Sequence, residues 1–189
     1  MKNHFFKKLF VLGAAAFLFF SCATTKLSPV YVTNSVKVQL LPVDSIKSEI
    51  DDYYLFEGEF GDKILSSIAY LTLSKKEIAV VLLSDLGVTL GEIIYDGESC
   101  SINSVVAPKK MKPEYIVLDL QNAFADFKTL KSHYSETKLS LTEEKSGGTT
   151  VRKIMSGKET VEEITIDEKS ILVKNHLRKY EYRLTKSEE

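Results

Sequence analysis

Turn signals cut most of this chain into short pieces, and that spacing leaves little room for anything but strands. The breaks "FGDK" (60–63), "SDLG" (84–87), "YDGES" (95–99), "KSGGT" (145–149), "MSGKE" (155–159) and "IDEKS" (166–170) each carry Gly, Asp or Ser. These residues tolerate the backbone of a tight turn or hydrogen-bond it locally. Asp96-Gly97 is a two-residue hairpin signal. Between the breaks lie runs rich in Val, Ile, Leu, Thr and Tyr: "YYLFEGEF", "ILSSIAYLTLS", "IAVVLLS", "VTLGEIIY", "CSINSVV", "KLSLTEE", "TVRKIM", "TVEEITI", "SILVKNH" and "KYEYRLT". Alternation is strict at Leu139 and Leu141, at Ile164 and Ile166, and at Tyr180, Tyr182 and Leu184. With "YVTNSVKVQL" (31–40) as one more, the pattern predicts about eleven short strands in an antiparallel meander, a mainly β chain.

One segment escapes the pattern. "PEYIVLDLQNAFADFKTLKSHY" (113–134) holds no Gly, and its single Pro stands at the start, where a fixed φ suits the first helical turn. Ile116, Leu120, Ala123, Phe124, Phe127 and Leu130 recur at helical spacing, while Asp119, Gln121, Asp126 and Lys128 lie away from the centre of that face. The spacing predicts one amphipathic helix inserted between two sets of strands. A curved sheet must bury its inner face, so the helix is either a lid over a cavity or a permanent cover on a solid core. The residues leave both open.

The N-terminus carries Lys2, Lys7 and Lys8, then an apolar run from Leu9 to Phe20, then Ser21 and Cys22. That order is a secretory signal, too short for a comfortable permanent span. A small residue before Cys is the pattern of bacterial lipoprotein signals, although Phe19 and Phe20 stand where Leu and a small residue are usual. Cys22 is therefore the expected lipidation site and membrane anchor. The alternative is ordinary cleavage nearby, which leaves a thiol free to pair with Cys100, the other of only two cysteines. The expected organisation is a signal peptide (1–21), a lipidated Cys with a polar tether (22–30) and a single domain (31–186). Ala23 stands where Asp often marks inner-membrane retention, so the expected location is the outer membrane, facing the periplasm.

The chain has 25 Lys and Arg against 26 Asp and Glu, and the leader removes three of the lysines. No basic excess remains for nucleic acid. His133 and His176 belong to no metal-spaced cluster, and there is no nucleophile elbow or phosphate-cradling Gly loop. The pairs Asp51-Asp52 and Glu57/Glu59, like the runs "TEEK" and "VEE", read as solvated strand faces. No enzyme, metal or cofactor is expected, and a monomer is.

The stretch "YYLFEGEFGDKILSSIAYLTLSKKEIAVVLLSDLGVTLGEIIYDG" (53–97) resembles the N-terminal half of the LolB family of outer-membrane lipoproteins. It is more similar still to an uncharacterised lipoprotein family related to LolB, whose aromatic strand carries a Gly like Gly58. "PEYIVLDLQNAFADF", with its Asp119-Leu120-Gln121 step, resembles that family's helix region. The similarity runs from about residue 40 to 185. The chain departs from LolB in lacking Trp and in having Asp85 where LolB has Pro. The resemblance implies an incomplete antiparallel barrel of about eleven strands with the helix as a lid over an apolar cavity. It implies a non-enzymatic role, in which acyl chains or lipidated cargo are received from a LolA-like carrier and passed to a membrane. It also assigns Leu86, in the "SDLG" turn, as the residue that enters lipid.

Cavity candidates follow on the helix as Ile116, Leu120, Phe124 and Phe127, and on the strands as Ile68, Tyr70, Val81 and Leu83. The strands at 64–73 and 78–83 are apolar on both faces, so parity does not choose the inner one. The leading expectation is a lipid-anchored binder of acyl chains or another amphiphile. The second is an assembly lipoprotein with a filled core and protein contacts, and a weaker third is an enzyme acting on lipid or glycan.

Overall fold

A computed structural model describes residues 27–107 and 111–187. The signal segment and Cys22 lie outside the described residues. Among those described, two short strands, β1 (Val30–Tyr31) and β2 (Lys37–Val38), pair with each other. Ten more form one antiparallel sheet. They are β3 (Ile50–Phe60), β4 (Lys63–Leu73), β5 (Ile78–Leu83), β6 (Thr89–Tyr95), β7 (Cys100–Ser104), β8 (Leu139–Ser146), β9 (Thr149–Ser156), β10 (Glu159–Ile166), β11 (Ser170–Asn175) and β12 (Tyr180–Lys186). The order across the sheet is β7-β6-β5-β4-β3-β12-β11-β10-β9-β8. Every neighbour but one is a hairpin partner; the exception, β3 with β12, joins the two halves. The protein is mainly β, as its turn spacing predicts.

The sheet's two edge strands, β7 and β8, follow one another in sequence. The connection between them carries helices α1 (Pro113–Phe124) and α2 (Phe127–Ser135), which therefore run from one edge to the other over a single face. That face supplies the core: Leu71, Val80 and Ile93 stand side by side on β4, β5 and β6 and are buried with Val117, Leu118 and Leu120 of α1.

Three local expectations are corrected. Residues 31–40 are not one strand. The Thr33 hydroxyl accepts the main-chain N–H groups of Ser35 (3.2 Å) and Val36 (2.9 Å), and this local bonding turns the chain where a ladder would keep it straight. Asp96-Gly97 sits in a four-residue loop, because Tyr95 pairs with Cys100. There Gly97 takes φ 93°, and Asp96 Oδ1 accepts the N–H groups of Glu98 and Ser99. The single helix of 113–134 is two. Ala125 and Asp126 are extended, and the Asp126 carboxylate accepts the Thr129 N–H at 3.0 Å as the N-cap of α2. A side-chain cap at that point restarts the helix on a new axis.

Residues read from the sequence as lying off the apolar face of α1 are buried as well. Asp119 and Gln121, and Asn122 beside them, are at most 1% exposed, because α1 has the sheet on one side and the N-terminal segment on another. Gln121 clasps that segment: it accepts the Leu41 N–H at 2.9 Å and donates to the Leu41 carbonyl at 2.6 Å, where the Tyr95 hydroxyl also donates at 2.9 Å.

Candidate apolar cavity under the first turn of α1

The N-terminal turn of α1 stands off the sheet and leaves a cavity of about 400 Å³ against β3 to β7. Its floor comes from the helix-side residues of those strands, among them Phe56, Phe60, Leu65, Val80, Leu82 and Ile93. Ile102 closes it on β7, and Met111, Tyr115 and Ile116 form its roof. The lining is almost wholly hydrocarbon and aromatic ring.

Two glycines make the space. Gly91 on β6 faces inward opposite Ser104, whose Oγ lies only 2.5 Å from where a Cβ would stand. Gly58 on β3 sits beneath the rings of Phe56 and Phe60, which come within 2.8 Å and 2.7 Å of an added Cβ. Those rings belong to an aromatic wall. Phe56 and Phe60 have centroids 6.4 Å apart; Phe60 stacks on Tyr180 at 5.8 Å, and Tyr180 on Tyr182 at 6.3 Å. The β3–β12 pairing sets Tyr182 against Gly58 and Tyr180 against Phe60, so the glycine gives the bulky rings room.

Behind the wall lies a buried polar network. The Tyr180 and Tyr182 hydroxyls donate to Asp119 Oδ2 at 2.8 and 3.3 Å. Asn122 donates to Glu162 Oε1 at 3.0 Å and accepts from the Tyr134 hydroxyl at 2.9 Å. Asn175 donates to the other Glu162 oxygen at 3.2 Å. Burial first, and the facing Glu162 second, hold the Asp119 carboxyl well above the ordinary carboxylate range. Glu162 is raised by burial too, against the donors that pull it down. At the C-terminal end of α1, Arg152 Nη1 donates to the carbonyls of Asn122, Ala123 and Ala125 at 2.7 to 3.0 Å, and its Nε pairs with Glu143 at 2.8 Å. These bonds pin the C-terminal half of the helix, and the cavity lies under the half that has none of them.

The sequence-predicted residues divide. Ile116 lines the cavity. Leu120 is buried in the core, and Phe124 and Phe127 pack half-buried against it, away from the cavity. Ile68, Tyr70, Val81 and Leu83 all lie on the far face of the sheet, in register with one another. There the Tyr70 hydroxyl donates to Asp51, and its ring lies 4.7 Å from that of Tyr53. Their neighbours Leu65, Val80 and Leu82 take the cavity in their place. Burial alternates cleanly on β3, where Asp51, Tyr53, Leu55, Glu57 and Glu59 face out. Carrying that parity across the hairpin to β4 is the signal that selects the inner set.

Leu86 is 91% exposed at the tip of the β5–β6 turn. Four other exposed apolar residues share that end of the sheet: Ile64 at the β3–β4 turn, Val88, Val105 just past β7, and Leu177 in the β11–β12 turn. The cavity opens at this same end, beside Phe60, Lys63 and Ala107. Cys100 is a half-buried thiol on β7, pushed up to about 12 by burial.

Residues 54–188 match the model of a family described as a protein of unknown function, DUF3261, and the chain belongs to that family. No curated protein matches the chain.

Proposed function

We propose that this is a lipid-anchored, periplasm-facing binding protein of the outer membrane, whose half-barrel sheet and helical roof enclose an acyl chain or other amphiphile. The apolar cavity at Phe60, Leu82, Ile102 and Ile116 carries this reading. It falls within the range of about 300–1,000 Å³ usual for small-molecule sites. Each buried methylene contributes about 0.8 kcal/mol to holding a chain there. The exposed rim of Ile64, Leu86, Val88 and Val105 supports docking of the cavity mouth on a bilayer, with Cys22 as the covalent tether and a LolA-like carrier or the membrane itself as the source of cargo.

Photo-crosslinking tests the reading. The purified full-length protein is incubated with a diazirine-bearing palmitate, irradiated and digested. Labelling of Met111, Ile102 or Leu82 is the expected result. Labelling confined to the far face, or none, would overturn it.

A second reading has its own observation. Tyr53 and Leu55 are 49% and 45% exposed on the far face, next to Tyr70 and Ile68. This is an apolar surface of the kind that marks protein contact, and it supports an assembly role through that face.

A further inference from the structure

We infer that the cavity selects a single-chain amphiphile with an anionic head, read by Lys63 and Lys112. This deepens the proposed acyl-binding role and rests on it. The cavity of about 400 Å³ stands toward the lower end of the range of about 300–1,000 Å³ usual for small-molecule sites. A size near that end suits one acyl chain better than the two chains of a diacyl lipid.

The charged residues lining the cavity are Lys63, Lys112, Arg178 and Glu92, an excess of cations around an otherwise apolar space. Arg178 is committed to the fold: its guanidinium donates to the Tyr31 and Val32 carbonyls and lies 4.1 Å from the centroid of the Tyr115 ring. Glu92 borders the cavity from the far-face parity of β6, beside Val81. Lys63 and Lys112 are exposed, and among the described residues neither makes an ion pair. Lys63 is at the start of β4 on the helix-side parity, opposite Phe60. Lys112 immediately precedes α1, one turn before Ile116. Both residues border the cavity that a chain lying along Phe60 and Ile116 would occupy, and both are exposed, as the water-facing head of such a chain would be. A carboxylate or phosphate there gains charge-assisted hydrogen bonds; a cationic head meets like charge.

The test uses the full-length protein and three ligands with one tetradecyl chain: the carboxylate, the alcohol and the trimethylammonium. Each displaces the same fluorescent acyl probe at neutral pH. The expected order is carboxylate, then alcohol about tenfold weaker, then the cation. In the Lys63→Glu/Lys112→Glu double variant the carboxylate loses its advantage while alcohol binding holds. Equal binding of carboxylate and alcohol, unmoved in the variant, would overturn the head selection and leave the acyl-binding role standing. Failure of all three to bind would overturn both. A diacyl phosphatidate that displaces the probe as well as tetradecanoate would overturn the single-chain assignment alone.

Discussion

Asn122 on α1 donates its side-chain amide to Glu162 on β10 at 3.0 Å, with both residues at most 3% exposed. This bond and the Asp119 carboxyl beside it fasten the mid-part of the helix to the second half of the sheet. The cavity lies at the opposite, N-terminal end of the same helix. Fastening at one end and apolar space at the other follow from one helix that starts beside the β7 edge and ends against the second half of the sheet.

The acid pair makes stability depend on pH in an unusual direction. In the unfolded chain both carboxyls lose their protons near pH 4. In the fold Asp119 holds its proton to higher pH, so its contribution is complete below about pH 4 and is lost as pH rises through the raised folded value. Asp52, Asp96, Asp126 and Asp167 are lowered by their hydrogen bonds and act in the opposite sense, losing stability as pH falls. The Asp119→Asn variant isolates the pair. Urea denaturation across the acid-to-neutral range should show the variant gaining on wild type as pH rises. A difference that stays constant with pH would mean that the fold holds no extra proton there.

Arg152 serves three carbonyls of α1 and one carboxylate of β8 from a site only 8% exposed. Replacing it with Ala leaves Glu143 and the helix end unpaired and is expected to cost about 3 kcal/mol or more. Arg152→Lys should recover little of this, because one ammonium cannot reproduce the planar fork. The urea midpoint measures both; a loss below about 1 kcal/mol for Arg152→Ala would contradict the role.

Gly58→Ala places a methyl within 2.8 Å of two aromatic rings, so Phe56 and Phe60 must turn. The expected cost is about 1–3 kcal/mol of stability. Weaker acyl binding should accompany it, since both rings line the cavity. Unchanged stability would show that the wall has slack.

Leu86→Glu should slow delivery of a fluorescent lipidated cargo to liposomes while leaving folding intact, since the side chain touches water and nothing else needs it. Burying one Leu in lipid is worth about 1.5–3 kcal/mol, enough for a several-fold change. Transfer at the wild-type rate would remove Leu86 from the mechanism.

Much of this was legible in the chain. Gly- or Asp-bearing turns mark six of the eight hairpins, all but β4–β5 and β11–β12, and the Gly-free stretch after Pro113 marks the helical connection. Three things were not. Strands β4 and β5 are apolar on both faces, so Ile68 and Leu65 look equally suited to a cavity until the alternation of β3 fixes the parity. Asp126 interrupts a helical face whose periodicity runs on undisturbed through Phe124 and Phe127. Glu162, within a run that reads as a solvated strand face, is buried because Asn122, Asn175 and the Asp119 carboxyl meet it there. None of those partners is near it in sequence.

Filling the cavity tests acyl binding there. Leu82→Trp sets an indole into the space between β5 and the roof residues Tyr115 and Ile116. Binding of a fluorescent fatty acid to the full-length protein is measured for wild type and variant, with thermal unfolding run alongside to show that both are folded. Saturable one-to-one binding is expected for wild type, with a loss of about tenfold or more in the folded variant. Equal affinity in the two proteins would place the ligand elsewhere and contradict binding in this cavity.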